Sequence, residues 1–145
     1  MKIKDILEVL EDREIPLVKE NEAIKGVLKK MLQYPHTRLI YVVDENGVCK
    51  GTISLGSLIR HLFPHGFEPV IHTRSLISMI TSETAQDIMN RGLIYATNND
   101  DAESVVERMI KAGVKEIAIL DSKKKVIADL TMLDLLKYYH LGENQ

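Results

Sequence analysis

The chain has little of several things, and each shortage excludes something. It holds one cysteine in 145 residues, Cys49, so an internal disulfide and a cysteine-rich metal site are both excluded. Cys49 lies in an apolar run and reads as a buried, inert thiol. There is no tryptophan, and aromatic residues make up only 5%. The net charge is −2, which gives no electrostatic reason to bind a nucleic-acid backbone or an anionic membrane surface. No apolar run approaches the roughly 18–20 residues that a membrane span needs. The opening "MKIKDILEVLEDRE" is charged and amphipathic and lacks the apolar centre of a secretory signal. No nucleophile elbow, phosphate loop or paired-carboxylate motif is visible, so nothing points to an enzyme. These features predict a soluble cytoplasmic protein without membrane insertion.

What is present is a repeat. "VKENEAIKGVLKKMLQYPHTRLIYVVDENGVCKGTISLGSLIRHL" is matched by "ATNNDDAESVVERMIKAGVKEIAILDSKKKVIADLTMLDLLKYY". Val18 aligns with Ala96, Val27 with Val105, Met31 with Met109, Ser54 with Thr131 and Ser57 with Asp134, given one extra residue in "QYPHT". Each copy reads as a short extended piece, then an amphipathic helix, a buried strand, a polar turn, a second strand and a closing helix. The first helix carries Ile24, Val27, Leu28, Met31 and Leu32; its counterpart carries Val105, Val106, Met109 and Ile110. The order is β-α-β-β-α twice, an α/β chain of the α+β type. A unit of about 50 residues buries too little apolar surface alone, so the two are expected to pack sheet against sheet. The expected boundaries are 1–63 for the first unit with its lead-in helix, 64–83 for a connecting loop and short helix, and 84–145 for the second unit. "KDIL" and "QDIM" look like equivalent lead-ins, each to its own unit, the latter behind a Thr84-x-x-Asp87 cap.

Thr131 and Asp134 stand three apart where a strand meets a helix, and Ser54 and Ser57 do the same upstream. A capping box explains the spacing: the hydroxyl accepts a first-turn N–H and the carboxylate accepts in return. A ligand site needs the same geometry. A helix N-terminus suits a phosphate, and a carboxylate one turn in can accept both hydroxyls of a ribose. Ser57 cannot do that as an anion, so the first cleft is expected to be weaker, altered in ligand or empty. His61 and His65 are four apart, but Pro64 interrupts them. With His72 they make at most a weak metal pattern, and His36 and His140 have no visible partner; no metal is expected. The run "DSKKKV" reads as a solvated hairpin turn that could draw in a polyphosphate.

The doubled order resembles the tandem CBS-domain pair, or Bateman module. "QDIM" resembles its lead-in helix, "YVVDENG" and "AILD" its central strand and acidic turn, and "KGTISLGSLI" and "ADLTMLDLL" its closing "GxxTxxDLL". Tyr41 and Ala118 replace a frequent proline, Ala128 a frequent glycine, and Ser57 the aspartate. The resemblance implies two CBS units in pseudo-twofold, sheet-to-sheet packing with two clefts. It also implies regulatory binding of an adenine nucleotide or S-adenosylmethionine, with no cofactor required, and often a homodimer acting on an effector protein. It assigns ligand contact in the second cleft to Thr131, Asp134, Ile94, Tyr95, Ile117 and Ala118, although Ile117 fits a plain core position equally well. In the weaker cleft it assigns Ser54, Ser57, Leu17 and Ile40, beside Pro16 and the bulky Tyr41. The rival reading is a structural dimerisation module whose clefts are filled by their own side chains.

Overall fold

The computed structural model describes residues 1–10, 12–34, 38–63 and 83–143. Element order is α1 (Ile3–Val9), β1 (Leu17–Lys19), α2 (Ile24–Gln33), β2 (Leu39–Val43), β3 (Cys49–Ser54), α3 (Leu55–Leu62), α4 (Ala85–Ile88), β4 (Tyr95–Ala96), α5 (Ala102–Ala112), β5 (Glu116–Leu120), β6 (Val126–Thr131) and α6 (Met132–Glu143). The β-α-β-β-α order therefore occurs twice. The expected connector lies almost wholly outside the described residues, as do Pro64, His65, His72 and the "SLISMI" segment.

The chain divides into two compact units, Pro16–Leu93 and Met1–Ile15 with Ile94–Gln145. This corrects the expected lead-ins. α1 does not join the first repeat: Ile3 and Ile6 are fully buried in the core of the second, with Ala96, Val105, Met109, Ile117 and Leu130. α4 in turn joins the core of the first, through Ala85. The reason lies at the helix starts. The first N–H groups of a helix lack intrahelical acceptors. In the first repeat the chain before α4 supplies one, with Ile24 N donating to Glu83 O at 3.2 Å. In the second the chain before α1 supplies it, with Ala102 N donating to Met1 O at 2.9 Å. At Thr84 the carboxylate half of the expected cap forms: Asp87 accepts from Thr84 N at 2.8 Å and from its hydroxyl at 3.0 Å.

Each unit has a three-stranded sheet with one parallel and one antiparallel pair, ordered β1-β2-β3 and β4-β5-β6. The pleat sends alternate residues to opposite faces. Ile40, Val42 and Ile53 enter the first core under α2, and Ile117, Ile119 and Leu130 enter the second under α5. The other faces carry the rows Leu17–Tyr41–Thr52 and Tyr95–Ala118–Asp129. α5 ends on Gly113, whose φ of 69° is the left-handed conformation favoured at a helix C-terminus. The hairpin turns are organised by carboxylates: Asp44 accepts from Asn46 N and Val48 N, and Asp121 from Lys123 N and Lys125 N. Cys49 is buried and free, and burial pushes its thiol pKa up, as an inert core thiol requires.

Candidate functional site

The capping boxes form. Asp134 N donates to Thr131 Oγ1 at 3.1 Å, and Thr131 N donates to Asp134 Oδ2 at 2.9 Å. The same exchange joins Ser57 N to Ser54 Oγ at 3.0 Å and Ser54 N to Ser57 Oγ at 3.1 Å. The Ser57 hydroxyl also donates to Ser54 O at 3.0 Å, so the first box is satisfied within itself.

The second box is different because Asp134 is only 2% exposed. A buried carboxylate needs a partner, and here it is Arg13. Nη1 donates to Asp134 Oδ1 at 2.9 Å and Nη2 to Oδ2 at 2.6 Å, a bidentate fork. Arg13 Nε also reaches Asp129 Oδ1 at 3.1 Å, and Nη2 the Asp129 carbonyl at 2.9 Å. Asp129 is 7% exposed. One half-exposed guanidinium thus spans two buried carboxylates. Burial works to raise the Asp134 pKa, but the Arg13 and Thr131 hydrogen bonds and the Arg13 charge outweigh it, so the pKa lies below the usual aspartate value.

Beside this cluster is a cavity of about 190 Å³ lined by Leu7, Leu10, Ile15, Ile127 and Ala128, with Asp12, Arg13 and Asp129. Its origin is a local difference between the repeats. At Gly51 an added Cβ would stand 2.5 Å from Asn90 O. Glycine lets the segment after α4 approach closely, and Asn90 pairs with Thr52 through bonds of 2.8 and 3.0 Å. The aligned residue of the second repeat is Ala128. There the Asp129 carbonyl is met by the Arg13 side chain instead.

The other expected contacts scatter. Ile117 and Ile40 face the cores, so the core alternative is what the packing gives them. Ile94 is partly buried against the same core as Ile117. Ala118 is buried on the opposite face, between Tyr95 and Asp129. Tyr95 lies under Lys124, whose Nζ is 4.2 Å from the ring centroid and bonds the phenol oxygen. The "DSKKKV" turn is therefore tied back to Tyr95 through one of its lysines. Leu17 and the buried Tyr41 share one row in the first repeat. Among the described residues no group of three or more His, Cys, Asp or Glu could hold a metal. His61 Nε2 is 2.7 Å from Glu83 Oε2, while His36, His65 and His72 lie outside the described residues.

Arg13 and Asp129 were absent from the expected set. Asp129 was detectable, since a carboxylate inside the strand-like "VIADLT" demands a cation once buried. Nothing in "EDREIP" marks Arg13 as that cation.

Comparison with known proteins settles the family. The CBS domain model matches twice, over residues 3–64 and 85–141. The chain is a tandem CBS-domain protein. The fold of this CBS pair is shared by a CBS-domain protein from Thermotoga maritima, with 24% identity, a TM-score of 0.74, and 95% of this chain and 93% of that one covered. CBSX2, solved with AMP, has 16% identity and a TM-score of 0.74, with 98% of both chains covered. The CBS-domain pair of protein MJ0100, solved with 5′-methylthioadenosine and S-adenosylmethionine, has 20% identity and a TM-score of 0.69, with 100% and 98% covered. An uncharacterised 33.4 kDa protein of Thermofilum pendens is 26% identical over 92 residues, which is 62% of this chain and 31% of that protein. The match spans under a third of that relative. Among the described residues no helix is long and apolar enough to cross a membrane.

Proposed function

We propose that this CBS pair is a regulatory module that binds an adenosine-containing ligand at the Thr131–Asp134 site and signals its occupancy to an effector protein. The observation that carries this is the buried Asp134 carboxylate at the start of α6, linked through Arg13 to an adjoining cavity of mixed polar and apolar lining. The cavity is smaller than the roughly 300–1,000 Å³ of sites that enclose a whole drug-sized ligand. Its volume suits a group the size of a base, with Asp134 as the ribose acceptor. The ligand class is carried over from CBSX2 with AMP and MJ0100 with S-adenosylmethionine. The ligand is regulatory, not a required cofactor, and the chain acts as a sensor, not an enzyme, in the cytoplasm where adenine nucleotides are plentiful.

The first repeat is the weaker site, because Ser57 offers no charge and its hydroxyl is already spent on Ser54. Self-association is part of the proposal: Leu133, Leu136 and Tyr139 on α6 are 61%, 65% and 66% exposed, an apolar stripe suited to a second copy. A structural dimerisation module is the competing reading, favoured by the Arg13 fork that already fills Asp134. Thermal shift against AMP, ATP, GMP and S-adenosylmethionine separates the two. A ligand specific to the folded state raises the melting temperature by mass action. No shift with any of them at millimolar concentration selects the structural module.

A further inference from the structure

We propose that Arg13 selects the ligand: its guanidinium holds the ribose seat on Asp134 and yields it efficiently only to a nucleoside that carries a phosphate. The proposal rests on the reading of Asp134 as the ribose acceptor. Both Asp134 oxygens accept from Arg13, and Oδ2 accepts from Thr131 N as well. A ribose diol needs those same oxygens, so diol and guanidinium compete for one carboxylate.

Arg13 is placed to move. It lies between α1 and β1, in a stretch without helix or strand, and its side chain is 40% exposed. Its two edges do different things. Nε is bound to the Asp129 carboxylate, while Nη1 and Nη2 form the fork on Asp134. When a diol takes Asp134, the bond from Nε to Asp129 can persist and keep the guanidinium beside the site. The fork then lacks an anion. Uncharged adenosine supplies none, so it exchanges a fork in which both partners are charged for bonds in which only the carboxylate is, and leaves the guanidinium without a counter-charge. A phosphate supplies oxygens that match the fork as well as a carboxylate does. Without Arg13, Asp129 and Asp134 would face the phosphate as two uncompensated negative charges. One residue therefore penalises neutral nucleosides and admits nucleotides.

The test is calorimetry with adenosine and AMP on the wild type, Arg13→Gln and Asp134→Asn, with circular dichroism to verify folding. Arg13→Gln should bind adenosine about fivefold tighter or more and AMP about fivefold weaker or more, because the competitor and the phosphate partner go together. Equal changes for the two ligands would overturn the selecting role. If Asp134→Asn then still weakens both ligands, the ribose reading survives that failure. If neither ligand binds any folded form, both fall. Should Arg13→Gln not fold, the wild type answers alone through the ¹⁵N signal of Arg13 Nη. Saturating adenosine should release the Nη protons to faster exchange, and AMP should shift them while keeping them protected. Signals unchanged by a bound ligand refute the exchange.

Discussion

Replacing Arg13 with methionine should make the protein gain stability on mild acidification, which the wild type does not. Methionine keeps an apolar stem of similar length, so packing near Leu10 and Ile15 is largely retained while the cation is lost. Removing one partner of a fully buried ion pair costs roughly 3–5 kcal/mol. Arg13 is 40% exposed, and solvent screens the pair, so about 2 kcal/mol is expected at neutral pH. For a chain of this length that lowers the melting temperature by about 6 °C. The pH dependence is the sharper signature. In the wild type the folded-state pKa of Asp134 is below its unfolded value. Its contribution is therefore complete above about pH 4 and is lost as pH falls through the lower, folded value. In the variant, Asp134 keeps the burial that works to raise its pKa and loses the Arg13 hydrogen bonds and charge that lower it, so its folded-state pKa moves above the unfolded value. The folded state then binds more protons than the unfolded one, so stability rises as pH falls towards about 4 and declines again on return to neutrality. Urea midpoints followed by circular dichroism between about pH 7 and pH 4 measure this. If the two proteins respond to acid in parallel over that window, or if the neutral midpoints coincide, the cluster does not carry the energy assigned to it.

Other expectations follow from the same contacts. Asp134→Asn leaves Arg13 paired with Asp129, so it should cost only about 1.5 kcal/mol in urea denaturation, yet weaken a ribonucleotide by about fivefold to a hundredfold in calorimetry. The 2′-deoxy ligand should bind the wild type worse than the ribo form, and that gap should narrow in the variant. Thr131→Ala should reduce affinity far more than Ser54→Ala, with about one strong site per chain; two equal sites per chain, or loss of the strong site with Ser54→Ala alone, would refute the assignment to the second repeat. Gly51→Ala puts a carbon 2.5 Å from Asn90 O, so it should destabilise by about 1–3 kcal/mol and speed amide exchange at Thr52 and Asn90. Leu136→Lys should shift sedimentation towards monomer with little change in thermal stability, since that side chain is 65% exposed.

Sequence alone determined the repeat, the order of its elements and the two capping boxes. These depend on short-range rules. A stripe such as Ile24, Val27 and Met31 falls on one face only in a helix, and that face is buried in the core. A hydroxyl three residues before a carboxylate or another hydroxyl closes the first turn wherever the helix lies. The pleat also settles, once register is known, that Ile117 and Ala118 face opposite ways, which residue lists by motif do not express. Only the tertiary structure decided which lead-in serves which repeat. "KDIL" and "QDIM" carry equivalent patterns, and the choice depends on which chain end supplies an acceptor for Ile24 N or Ala102 N. Only the tertiary structure brought Arg13 to Asp134, from more than a hundred positions away. No local pattern encodes that meeting. It arises because two carboxylates buried on the strand and the helix require a cation, and the Arg13 side chain reaches both.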